Sequence, residues 1–215
     1  IIEDVEKMTQ NAANSLLKFL EEPDGDVTAL LLTSAKQRLL PTILSRCQIV
    51  HFPVRPLSER IVELENRGLT LSQASLTARM THDAAKAVEL AQEEAFQNLV
   101  QTLWGWFKLL AKRDEQAFVY VQTDLMGAAK DRETYHQVVD LLIIIYRDLL
   151  NLTYSEQVQP AFLNHEAELK KIADQMSSRQ LTAILELLLA AKKKLNSNVA
   201  AQGIFEDVAL QIVSI

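Results

Sequence analysis

Thr28 to Gln48 runs TALLLTSAKQRLLPTILSRCQ. Its opening, Thr28 to Thr33, is short and apolar and follows the turn-forming run Pro23-Asp24-Gly25-Asp26. That pattern predicts a buried strand. Pro41 predicts a short helical turn, because its fixed φ suits a first helical position. Arg46 stands near the end of that turn, and Ile49-Val50-His51-Phe52 reads as a further strand. An arginine just past a short helix, between two buried strands, sits at the rim where parallel sheets place their chemistry.

Working upstream, Ile1-Ile2 reads as the end of a buried strand, with Glu3-Asp4 forming an acidic turn at once. Acidic residues at a strand tip hold Mg²⁺ and orient water in nucleotide-binding proteins. The same pair also fits a solvated acidic loop. Thr9 is a candidate N-cap for a helix over Asn11 to Glu22, with Ala12, Leu16, Leu17, Phe19 and Leu20 as its apolar stripe. Glu21-Glu22-Pro23 stops it, since a residue before proline is steered out of helical geometry. Strand, helix, strand, short helix and strand in that order predict part of a parallel α/β sheet. The chain opens without methionine and as if in mid-strand, which reads as a fragment of a longer protein.

Downstream, the pattern changes at about Pro56. Ser58 is expected to cap a helix ending at Asn66, with Gly68 closing it. Ser72 is expected to cap Gln73 to Met80, and Asp83 to cap Ala84 to Ala95. This small helical domain carries four basic against seven acidic residues from Leu57 to Ala95, which does not favour DNA contact. Longer helices follow over Phe96 to Lys112, Glu115 to Thr123, Arg132 to Tyr154, Glu166 to Met176, Arg179 to Leu195 and Ala200 to Val213. Together they read as a helical bundle, with the helix that is apolar from Val138 to Leu152 at its centre. Lys192-Lys193-Lys194 falls in a last helical turn, where the helix dipole favours cations.

Composition narrows the function classes. Only 5 Gly and 5 Pro argue for long helices over a β-rich fold. A net charge of −6 excludes a bulk basic nucleic-acid module. The lone cysteine, Cys47, rules out an internal disulfide and fits a reducing, cytoplasmic location. The longest apolar run, Leu141 to Tyr146, falls far short of the ~20 residues of a membrane span. His51, His82, His136 and His165 have no ligand spacing, so no metal site is expected. Trp104, Trp106 and Phe107 read as core rather than a base-stacking platform, because no basic groove accompanies them.

Three stretches resemble the clamp-loader branch of the AAA+ ATPases. Asn14 to Pro23 (NSLLKFLEEP) resembles the NALLKxLEEP helix, Leu40 to Cys47 (LPTILSRC) the LPTILSRC segment, and Ile1 to Met8 (IIEDVEKM) the Walker B strand with its turn. Asn196 to Glu206 (NSNVAAQGIFE) loosely resembles the last inter-helix link of the family's collar. The resemblance implies a mixed, mostly α fold. Residues 1–56 would be the C-terminal part of an AAA+ α/β domain, 57–95 a helical lid, and 96–215 a helical collar used for oligomerisation. Ser45, Arg46 and Cys47 match the SRC motif, which makes Arg46 an arginine finger acting in trans on the neighbouring subunit's ATP. Thr33 and Ser34 match the sensor-1 position. Glu3 and Asp4 match the Walker B pair in reversed order, which argues against hydrolysis at this subunit's own site. The sensor-2 arginine is absent from the matching run His82 to Ala87, where Lys86 is the nearest cation.

The function so implied is a non-catalytic subunit of the bacterial DNA polymerase III clamp loader. No catalysis is expected from this chain itself, although it would be part of a DNA-directed DNA polymerase holoenzyme. Its partners would be gamma/tau- and delta-type subunits through the collar and AAA+ domains, and the sliding clamp and primed DNA through the assembly. No cofactor is expected on these residues. ATP and Mg²⁺ would sit on the neighbouring subunit, and zinc, where the family carries it, before Ile1. Two other readings stand beside this one: an active gamma/tau-type ATPase, and a helical scaffold in which Arg46 merely caps its helix or pairs with an acid.

Overall fold

A computed structural model describes residues 1–22, 25, 27–155, 159–197 and 199–215. The turn residues Pro23, Asp24 and Asp26, and Asn198 of the last link, lie outside the described residues. The chain divides into two compact units, Ile1–Pro53 and Val54–Ile215.

In the first unit, Thr9 caps α1 (Gln10–Glu21) by accepting from Ala12 N at 3.3 Å. Pro41 stands at the first position of α2 (Pro41–Leu44). Ala13 and Leu16 of α1 pack with Val5 and Ile43 into a small core that Cys47 adjoins. The strands depart from the sequence expectation. Among the described residues, only Ile2 and Leu31 form a bridge, in parallel register, with Ile2 N donating to Leu30 O and Leu32 N to Ile2 O, both at 2.8 Å. Residues 28–33 are not buried: Leu30 is 51% and Leu32 47% exposed. The Ile49 to Phe52 run forms no strand, and Phe52 is 87% exposed. A parallel strand is buried only when both neighbours and helices cover it, and the described residues supply one short pairing.

The second unit is helical throughout its regular structure. α3 (Leu57–Asn66), α4 (Leu71–Met80) and α5 (Ala84–Gln92) enclose a small core of Ile61, Leu64, Leu69, Ala74, Ala78, Ala87 and Ala91. Two expected caps are displaced. Pro56 rather than Ser58 precedes α3, with no side-chain cap. Thr70 rather than Ser72 caps α4, because Thr70 and Gln73 close a reciprocal capping box around the first turn. Asp83 caps α5, accepting from Ala85 N at 2.8 Å.

Next come α6 (Glu94–Ala111), α7 (Gln116–Tyr120), a π-helical stretch (Val121–Leu125) and α8 (Met126–Ala128). They are followed by α9 (Arg132–Tyr154), α10 (Glu166–Ala173), α11 (Ser178–Lys194) and α12 (Ala201–Ser214). α9 forms the axis of the large core, burying residues from Val138 to Leu152. Trp106 is fully buried; its Nε1 donates to Ala117 O at 2.9 Å, and its ring meets Phe205 edge-on. Trp104 stacks on His165 with ring centroids 3.9 Å apart. At Gly105 the helix passes so close to the Tyr120 hydroxyl that an added Cβ would force the tyrosine to shift. Lys192 pairs with Asp140 and Lys194 with Asp207, so two of the three terminal lysines are spent within the bundle. Among the described residues, no helix is long and apolar enough to cross a membrane.

Candidate functional site

The single parallel bridge decides which polar groups meet in the first unit. It carries the chain from Leu31 to Thr33 and Ser34 alongside the turn that begins at Glu3. The carboxylate it delivers to those hydroxyls belongs to Glu6. Thr33 Oγ1 donates to Glu6 Oε2 at 2.6 Å, and Ser34 Oγ to Glu6 Oε1 at 3.1 Å. Thr33 Oγ1 also accepts from Ala35 N at 3.0 Å, which fixes its rotamer. Both sequence-selected hydroxyls are therefore turned toward one acid. Sequence reasoning missed Glu6; the only signal was a third acid in the run Glu3-Asp4-Val5-Glu6.

The two acids that were singled out take no part in that cluster. Asp4 adopts a left-handed backbone, φ 51°, a conformation that Asp reaches more readily than most residues. Its carboxylate is taken by Lys7 Nζ at 2.8 Å. Glu3 is exposed and has no ion pair with a described residue. Among the described residues, no group of three or more His, Cys, Asp or Glu is arranged to hold a metal ion.

Thr33, above all, holds the Glu6 carboxyl below its ordinary value of 4.5, with its own backbone and Ser34 adding to the effect. A depressed folded-state pKa gives stability that is present in full above the unfolded value and lost as pH falls through the folded one. An NMR titration should thus place Glu6 below 4.5. Thr33→Val should return it toward that value, and a wild-type Glu6 titrating at or above it would refute the cluster.

Arg46 forms a separate cluster. α2 ends at Leu44, and Arg46 Nη1 turns back to donate to Thr42 O at 3.0 Å. Its Nη2 pairs with Glu21 Oε1 at 2.6 Å, at the C-terminal end of α1. The two side chains remain 36% and 50% exposed, so the pair is a surface one. Ser45 Oγ donates to Thr42 O at 3.0 Å, and Cys47 is half-buried beside the small core. Among the described residues, no hydrogen bond or ion pair joins the Arg46 cluster to that of Glu6. The arrangement offers an accessible guanidinium on a short helical post and a fixed hydroxyl pair on a strand tip.

Residues 1–56 match the family model described as DNA polymerase III, delta subunit. Along 99% of its length the chain is 36% identical to DNA polymerase III subunit delta' of Bacillus subtilis, and it spans 64% of that protein. It is 33% identical over 156 residues to DNA polymerase III subunit delta' of Escherichia coli, covering 65% of the chain and 46% of the relative. It is also 38% identical over 131 residues to DNA polymerase III subunit tau of Salmonella typhimurium, covering 61% of the chain and 19% of the relative. The chain thus spans less than two thirds of each of these relatives.

Proposed function

The chain is delta'-like, a relative of the clamp-loader subunits of bacterial DNA polymerase III, and from that premise we propose that it is a non-catalytic member of a replication clamp loader. In this reading it acts in the cytoplasm. Residues 1–56 and 96–215 bind gamma/tau- and delta-type subunits, and 57–95 serve as the lid between them. The sliding clamp and primed DNA are engaged through the assembly.

Arg46 is the observation that carries this reading. It projects from the SRC segment with its guanidinium part exposed and held by a single surface carboxylate. A guanidinium stays charged at any working pH and presents rigid donors to phosphate oxygens. Aimed at a nucleotide on the adjoining subunit, it stabilises the charge that spreads over the transferred phosphoryl group. ATP and Mg²⁺ belong to that subunit. The chain's own acids support the division of labour: Asp4 is engaged by Lys7, and the Glu3-Asp4 order reverses the family's pair. Thr33 and Ser34, tied to Glu6, then serve to hold the strand tip in shape rather than to read a γ-phosphate. An active gamma/tau-type ATPase is the reading that these features disfavour.

Reconstitution tests the assignment. The whole protein, mixed with gamma/tau- and delta-type subunits, should co-elute as one assembly and should be needed for loading of the sliding clamp onto primed DNA. An assembly that forms and loads clamp equally well without it would overturn the proposal.

A further inference from the structure

Within the unit Val54–Ile215, a cleft of about 540 Å³ is lined by helices of the small three-helix core and by the second half of α9. α3 contributes Ser58 and Arg60, α4 contributes Arg79, and α9 contributes Arg147, Asp148 and Asn151. Among the described residues, three guanidinium groups therefore face one carboxylate. Asp148 cannot neutralise them all: it is 2% exposed and its Oδ2 is bound to Ala161 N at 2.6 Å. Arg79 registers the crowding. Burial lowers its pKa first, and although Asp148 opposes this, Arg147 and Arg60 lower it further.

The first two guanidiniums are immobilised. Arg60 Nη1 donates to Ala78 O at 2.6 Å and lies 2.8 Å from His82 Nδ1, while its buried Nε finds no acceptor among the described residues. Arg79 Nη1 donates to Ser75 O at 2.7 Å and Nη2 to Gln159 O at 2.6 Å. These bonds close the end of α4 and hold it to the segment after α9. Arg147 is different: it is exposed and has no hydrogen bond or ion pair with a described residue.

We propose that this cleft binds a small phosphate-bearing anion, engaged by Arg147 above a fixed positive floor of Arg60 and Arg79. A planar guanidinium fork meets phosphate oxygens two at a time, and charge-assisted bonds of this kind are stronger than neutral ones. The surplus of cations over the one carboxylate suits a multiply charged phosphate. Inorganic pyrophosphate and the diphosphate end of a nucleotide share this chemistry. The proposal does not depend on the role given to Arg46.

The test is calorimetric titration of the full chain with inorganic pyrophosphate and, in parallel, ADP, against chloride at matched ionic strength. Pyrophosphate should bind saturably, and Arg147→Gln should weaken it by about tenfold or more. Arg147 is exposed and has no partner among the described residues, so the variant should keep the wild-type circular dichroism and melting midpoint. ADP binding more tightly than pyrophosphate through Arg147 assigns the cleft to nucleotides, and equal or weaker binding assigns it to the inorganic anion. Absence of saturable binding at millimolar concentrations of both probes, or undiminished affinity in Arg147→Gln, would overturn the proposal.

Discussion

Arg46→Ala is expected to slow ATP turnover at the adjoining subunit by ~10³–10⁵-fold, the range seen when an arginine finger supplied from a neighbour is lost. The measurement uses an assembled clamp loader in which only that adjoining subunit can hydrolyse ATP, so that other sites do not mask the loss. A thousandfold effect corresponds to about 4 kcal/mol of transition-state stabilisation. The ion pair that now holds Arg46 is a small obstacle by comparison. Arg46 and Glu21 are both part exposed, and such pairs contribute about 0–1 kcal/mol. The arginine can therefore leave Glu21 whenever a nucleotide phosphate offers a better partner. Arg46→Lys should not restore turnover, because an ammonium lacks the planar fork. Unchanged turnover in an intact assembly would reduce Arg46 to a structural ion pair and favour the scaffold reading.

The second large effect is expected from Trp106→Ala. Trp106 is fully buried, donates its indole N–H to Ala117 O at 2.9 Å and packs edge-on against Phe205. Removing a buried tryptophan costs about 3–5 kcal/mol. Total domain stability is only about 5–15 kcal/mol, so this is a large share of it. The melting midpoint should fall by about 10 °C. Trp106→Phe should cost less, since it keeps most of the ring contact and forfeits mainly the hydrogen bond. Thermal and urea denaturation of both variants would check the order. A loss below about 1 kcal/mol in the alanine variant would mean that the core collapses around the gap.

Helices were legible in the sequence because their signals are local. Asp83, Thr9 and Pro41 stand where their chemistry places helix starts. α9 begins at Arg132 and ends at Tyr154, as its apolar run and flanking residues indicate. Cap choice was less legible where two hydroxyl residues compete. Thr70 displaced Ser72 because only Thr70 has a glutamine three residues on. The strands were misjudged because apolar runs report a tendency to be buried, whereas burial needs neighbours that the described residues do not provide. Glu6 escaped notice because its partners lie 27 and 28 residues away, and only the parallel bridge brings them together. The π-helical stretch Val121–Leu125 left no local mark in the sequence either.

The unequal cores carry a consequence for how the molecule breathes. Among the described residues, the unit Ile1–Pro53 buries Val5, Ala13, Leu16 and Ile43, whereas α9 alone gives nine buried residues to the large core. Opening free energies range from near zero where few apolar contacts exist up to the global value in a dense core. Amide protons in the first unit therefore exchange with solvent through small local excursions, and those of the inner turns of α9 wait for the whole bundle to come apart. Arg46 thus rides on the part of the chain that opens most readily, while the helices of the bundle persist.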